Sequence, residues 1–200
     1  MVRFPYRPGE LQPAGPAETV VAGLPVGGHW TRDLAFSADG RRMFVSIGSR
    51  SNATWDYSEQ RRADVLVFTP EGKDERVFAT GLRNCSGMAI TPGTGDLWCA
   101  VNERDELGDD LPPDYVTRLR EGAFYGWPWF YIGGHQDPRH AGEHPELRDR
   151  VSVPDVLLQP HSAALGITFY DGAQFPVEYR SKSTRLNSSH IQKSRMPSSA

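Results

Sequence analysis

Three stretches decide how this chain is read: DLAFSADGRRMFVSIG at 33–48, GMAITPGTGDLWCAVN at 87–102 and GITFYDGAQFP at 166–176. Each opens with a short apolar strand, passes through a glycine-containing turn and enters a second strand or its beginning. Asp39-Gly40 is a strong tight-turn signal, and PGTG at 92–95 a looser one. A further hairpin reads VLVF, TPEG and RVFAT between Val65 and Thr80. Leu34 and Met88 begin equivalent strands 54 residues apart, a little above the blade period of about 40–50 residues in propellers. The pattern predicts an all-β protein, a β-propeller whose radial blades need many turns and no amphipathic helix.

Composition agrees with that reading. Of 200 residues, 38% are hydrophobic and 24% charged, which is ordinary for a globular chain. Five Trp, seven Tyr and nine Phe supply a core, while 20 Gly and 16 Pro disfavour long helices. A net charge of −3 excludes a nucleic-acid or anionic-membrane binder, and no apolar run reaches spanning length. Cys85 and Cys99 are too few for a disulfide scaffold. With the turn centred in PGTG, Cys99 faces Gly87, so pairing with Cys85 would need a bulge, and two reduced, part-buried thiols are expected.

The two ends read differently from the middle. VRFPYRPGEL at 2–11 begins as a strand already under way, and the polar Arg3, Tyr6 and Arg7 do not make an export signal. The tail at 182–200 holds four of the chain's 22 basic residues and none of its 25 acids, leaving 1–181 at a net charge of −7. Its words KSTRLNSSH and SRMPSSA look like a translated sequencing adapter. The expected organisation is a partial propeller over 1–180 and a non-native, disordered tail over 181–200. A long insert is expected at 102–160, carrying the acidic loop NERDELGDDLPPD and the aromatic run FYGWPWFYIGGH as a lid or wall.

The strings GGHWTRDLAFSADG, VSIGSRSN, GLRNCSGMAITPGTGDLWCAVNERDELGDDLPPDY, FYGWP and PHSAALGITFYDG together resemble the glucose/sorbosone dehydrogenase family, close to its L-sorbosone dehydrogenase branch. The resemblance runs in order over nearly all of 2–180. It implies a six-bladed propeller, of which this chain is an incomplete portion. It also implies a quinoprotein dehydrogenase that oxidises a sugar or sugar-derived aldehyde or alcohol with pyrroloquinoline quinone (PQQ) and calcium. A hydride would pass to the quinone and electrons onward to a respiratory acceptor, with the full-length parent periplasmic or secreted and the fragment inactive alone.

The resemblance also distributes roles. His29, just before a first strand, is the implied general base, which suits an imidazole whose ordinary pKa is about 6.5. Arg83 and Asn84 precede the equivalent strand of the next repeat and are implied cofactor contacts, since an anionic quinone suits a guanidinium fork and an amide. Tyr125 offers an aromatic face, and His161 leads into the third repeat; both join the cofactor set. Glu103, Arg104 and Asp109 are the implied calcium contributors, with Asp109 the preferred acid, although the glucose-oxidising relatives have Gly-Pro where this chain has Glu103-Arg104. Glu103, Asp105, Glu106, Asp109, Asp110 and Asp114 together form a solvated acidic loop in the plainer reading. Arg61-Arg62 read as a solvated loop, and His135, His140 and His144 as surface. The rival functions are a non-catalytic propeller binding domain and a propeller lactonase.

Overall fold

The Asp39-Gly40 turn closes as expected: the Gly40 N–H donates to the Ser37 carbonyl at 2.8 Å, with Gly40 at φ +69°. A computed structural model of the chain describes residues 1–179 and 183–187. β1 (Val2–Arg3) and β2 (Glu18–Thr19) form a short ribbon. β3 (Leu34–Phe36), β4 (Met43–Ile47), β5 (Asp64–Phe68) and β6 (Arg76–Thr80) follow as an antiparallel meander, the first blade.

The second blade starts with β7 (Cys85–Ile90), β8 (Leu97–Val101) and β9 (Pro113–Arg118). The chain then makes an excursion through β10 (Ala123–Phe124), β11 (Phe130–Tyr131) and β12 (His135–Gln136). It returns as β13 (Val156–Pro160), which pairs with β9 as the fourth strand. β10 adds itself in parallel to the outer strand β6 of the first blade. The expected insert is therefore shorter than 102–160: β9 and β13 belong to the sheet, and the excursion lies between them. β14 (Ala164–Phe169) pairs with β15 (Ser183–Asn187) and begins a third blade. Five residues assigned above to a disordered tail thus satisfy the open edge of β14. The rest of that tail lies outside the described residues.

Blade stacking explains why β4 and β5 are apolar on both faces instead of alternating. Phe44, Val65 and Val67 point to the second blade and pack with Met88, Cys99, Val101 and Tyr115. Met43, Val45, Leu66 and Phe68 point the other way and are covered by Val20, Val21 and Leu24. Ala100 and Val116 then carry the stack onward to Ala164 and Ile167 of β14. The inner strands approach closely, since a Cβ on Gly87 would lie 2.4 Å from the Gly166 Cα. Glycine at both points is what lets the backbones meet.

The cysteines correct the expectation of free thiols. Cys85 and Cys99 form a disulfide with a Cα separation of 5.9 Å. Cys99 faces Met88, not Gly87, and the register shifts between Cys85 and Gly87. That irregularity is the bulge a bridge required.

Candidate active site

Several strand ends converge on one side of the blades. His29 precedes β3, Arg83 and Asn84 precede β7, Glu103 follows β8, Asp114 begins β9, and His161 leads into β14. Between them is a cavity of about 200 Å³. The backbone ties the rims together: the Ser49 N–H donates to the Arg83 carbonyl at 2.8 Å, and the Asn102 N–H to the Asn84 carbonyl at 3.0 Å. Gly48 makes the approach possible, because a Cβ there would meet Asn84 Oδ1 at 2.4 Å and the His29 Cβ at 2.7 Å.

His29 Nδ1 lies 2.8 Å from the Ser49 carbonyl oxygen and 3.0 Å from the Ser49 hydroxyl. That hydroxyl spends its own proton on the Ser51 carbonyl at 2.6 Å. A carbonyl only accepts, so Nδ1 carries the proton and Nε2 keeps its lone pair. Burial, and then the Arg83 charge, hold the imidazole below its ordinary pKa. At neutral pH it is an uncharged base. The loop that carries it is pinned by Arg32, which donates to the Pro25, His29 and Thr31 carbonyls, and by Arg62, which donates to those of Val26, Gly27 and Gly48. Arg62 is therefore a buried brace, which corrects its reading as a solvated loop residue.

Two acceptors in this cavity are buried and without a hydrogen-bond partner: Asn84 Oδ1 and Glu103 Oε1. Leaving such groups unpaired costs about 1–3 kcal/mol each, so they mark a place where a donor or cation is missing. Burial pushes the Glu103 carboxyl up to about 7. Asp114 is pushed up by burial as well, yet its oxygens are spoken for by the Glu103 and Ala163 N–H groups at 2.8 and 2.7 Å. It locks the β8–β9 loop to the segment carrying His161. His161 Nε2 stands 2.9 Å from the Gly108 carbonyl, and its Nδ1 stands 3.4 Å from Asp105.

Arg83 has a role the sequence did not reveal. Its Nε donates to the Asn52 carbonyl at 3.0 Å, one terminal nitrogen to the Glu103 and Asn102 carbonyls at 2.6 and 3.3 Å, and the other to Asn52 Oδ1 at 2.9 Å. All three of its nitrogens donate to the protein, and the Asp105 carboxylate stands 3.6 Å from one of them. Asn52 completes the knot by pairing its amide with the backbone of Asp105 in both directions.

Of the residues singled out from sequence, His29, Arg83, Asn84, Glu103 and His161 line the cavity together. Three do not. Tyr125 sits in the core between the blades, its hydroxyl donating to the Arg118 carbonyl at 2.7 Å. Arg104 turns away into a buried ion pair with Asp137 at 2.6 Å, and Asp109 is exposed on the loop. Asp105 and Asp114 line the cavity in place of Asp109; the acidic string named all three but gave no sign of which faced inward. His140, expected at the surface, is 12% exposed and bonded to the Ala53 carbonyl at 2.7 Å. Among the described residues, no group of three or more His, Cys, Asp or Glu is arranged to hold a metal, and no helix is long and apolar enough to cross a membrane.

Comparison with known proteins gives this geometry a context. The curated relatives include an uncharacterized protein of Borreliella burgdorferi, 29% identical over 156 residues, covering 77% of this chain and 40% of that protein. Aldose sugar dehydrogenase YliI of Escherichia coli is 25% identical over 171 residues, covering 76% of this chain and 43% of the relative. The chain thus spans less than half the length of either. Among solved structures, the holo PQQ domain of pyranose dehydrogenase from Coprinopsis cinerea superposes with a TM-score of 0.70 at 22% identity, over 83% of this chain and 51% of that one. The soluble aldose sugar dehydrogenase of Escherichia coli in its apo form gives 0.60 at 22% identity, over 84% and 51%. These likenesses make the stacked sheets part of a β-propeller. The glucose/sorbosone dehydrogenase family model matches residues 18–198, and the chain belongs to the glucose/sorbosone dehydrogenase family.

Proposed function

We propose that the complete protein oxidises a sugar, or a sugar-derived alcohol or aldehyde, with PQQ and calcium at this cavity, His29 acting as the general base. The observation that carries the reading is the tautomer of His29: Nδ1 is held by Ser49 and the Nε2 lone pair is left free. The names of its relatives supply the substrate class, and sorbosone or an aldose is the intended type.

The donor set tests whether the cofactors suit the site. The unpaired oxygens of Asn84 and Glu103 are hard donors of the kind calcium takes. Asp105 lines the same cavity without forming a three-acid cluster among the described residues, so loop carbonyls would have to supplement them. An anionic quinone alone would face the Glu103, Asp105 and Asp114 carboxyl groups, with each Arg83 nitrogen already hydrogen-bonded to the protein. The residues suit the pair better than the quinone alone: Asn84 and Glu103, with Asp105, would hold the cation. When bound, the pair supplies a two-electron acceptor and a Lewis acid. The cavity is smaller than the about 300–1,000 Å³ usual for ligand sites, in keeping with a site completed by blades outside this chain.

The chain's own residues do three things. His29 Nε2 takes the hydroxyl proton of the substrate as its carbon is oxidised. The Ser49 carbonyl keeps the imidazole in the tautomer that can do so and steadies the imidazolium that results. Arg83, Asn52 and Asp114 hold the loops in place around the cavity. The Cys85–Cys99 disulfide supports an oxidising compartment, periplasmic or secreted, with electrons passing to a respiratory acceptor. The test is dye-linked oxidation of aldoses and sorbosone by the complete protein with PQQ and calcium. Turnover that requires both supports the reading; quinone-independent hydrolysis of a sugar lactone, or binding without turnover, contradicts it.

A further inference from the structure

A second cavity, of about 320 Å³, lies on the flank of the first blade, between the loop leading into β5 and the excursion after β9. It shares no lining residue with the site above, and its size reaches the range of small-molecule pockets. Its wall is aromatic. The rings of Trp55 and Trp129 stand 6.3 Å apart at 39°, and those of Phe124 and Trp129 stand 6.1 Å apart at 51°. Trp127 closes the wall, fixed by its indole N–H to the Asn52 carbonyl at 2.9 Å. The His144 ring also packs against Trp129, with centroids 4.3 Å apart. Trp55 remains 46% exposed, so part of a large apolar ring is left uncovered at the mouth.

The charged groups of the lining are mostly committed to the protein. Glu59 accepts from the Arg50 and Ser51 N–H groups, Arg61 pairs with Glu75, and Arg62 braces the His29 loop. Asp64 is different: its carboxylate makes no hydrogen bond among the described residues. Burial and the neighbouring Glu59 push it up to about 8, so it stands at pH 7 as a neutral acid able to donate. Gln60 adds an amide beside it.

This combination selects among ligand classes. A cation would meet Arg61, Arg62 and Arg150; an anion would find Arg61 and Arg62 already paired within the protein and Glu59 beside them, leaving Arg150 as its one cationic partner among the described residues. A neutral ring with an apolar C–H face and a rim of hydroxyls matches both the indole faces and the amide and acid at their edge. We propose that this cavity is a second, non-catalytic saccharide site, holding a pyranose-sized ring against Trp55 and Trp129 with its hydroxyls on Asp64 and Gln60. It stands independently of the reaction assigned to the other cavity.

The test uses the 200-residue chain and methyl α-D-glucopyranoside, whose blocked anomeric centre is no substrate for oxidation there. Titration should give a saturable change in tryptophan fluorescence at millimolar sugar. Trp55→Ala should weaken affinity about tenfold, and the half-exposed position keeps the fold intact. Asp64→Asn should bind as the parent does, Asp64→Ala more weakly, and Trp30→Ala, altering a ring 95% exposed outside the cavity, should change nothing. No saturable response in the parent, a response unaltered by Trp55→Ala, or saturation by tetramethylammonium in place of the glycoside would each overturn the proposal.

Discussion

His29 Nδ1 and the Ser49 carbonyl oxygen are 2.8 Å apart, and that contact decides which imidazole nitrogen is free. Because burial and Arg83 lower the pKa of His29, the base stays neutral below the ordinary histidine value of about 6.5. Activity of the complete protein should therefore hold as pH falls through 6.5 and decline only beneath it. A pH profile of kcat/KM that breaks above 6.5 on its acid side would contradict this.

Arg83 is expected to act on the fold before it acts on any cofactor. Arg83→Ala strips donors from three backbone carbonyls and from Asn52 Oδ1, a loss of about 3 kcal/mol in stability. Arg83→Lys should recover little, since one ammonium cannot span that fork. Denaturant melts of both variants test this. Parent-like stability, with only cofactor affinity reduced and restored by saturating PQQ, would return Arg83 to the role of cofactor contact.

Asp64 gives a pH-dependent signature. A carboxyl raised to about 8 in the folded state binds a proton that the unfolded chain releases near 3.9. Its contribution to stability is present at low pH and is lost as pH rises toward and through 8. Asp64→Asn should remove that slope and raise Tm at pH 9 by at least about 2 °C, since even a quarter of the gap between about 3.9 and about 8 is worth about 1 kcal/mol. Equal slopes of Tm against pH in the two proteins would show that Asp64 is not buried as described.

The disulfide closes a loop between residues 14 apart, worth about 3 kcal/mol by loop-closure entropy. Cys99→Ala or reduction should lower stability by about that amount, measured by denaturant unfolding with and without a reductant. No difference between the oxidised and reduced chains would contradict the bridge.

The blades were legible because the apolar stretches around Leu34, Met88 and Ile167 each run into a glycine-containing turn, a pattern set by local turn chemistry. Asp39-Gly40 fixes its turn without help from the rest of the chain. β9 and β13 were hidden because PDYVTR and VLLQP stand among acids and prolines, and only pairing across the excursion makes them strands. His29, Arg83, Asn84, Glu103 and His161 are singled out by the resemblance of their strings to the family, and their strand-leading and strand-trailing positions bring them to one end of the blades. The spent donors of Arg83, the inward turn of Asp114 and the withdrawal of Arg104 to Asp137 are long-range events. No local pattern in the acidic loop encodes them.

The central claim is that His29 is the base of a calcium- and PQQ-dependent sugar oxidation, and one comparison tests it most directly. Turnover of the complete protein is measured at saturating PQQ, calcium and aldose for the parent and for His29→Gln, with cofactor binding followed in parallel. A loss of about 10²–10⁴-fold in kcat, with cofactor affinity nearly unchanged, is the result expected of a general base. Equal turnover in the two proteins would contradict the account.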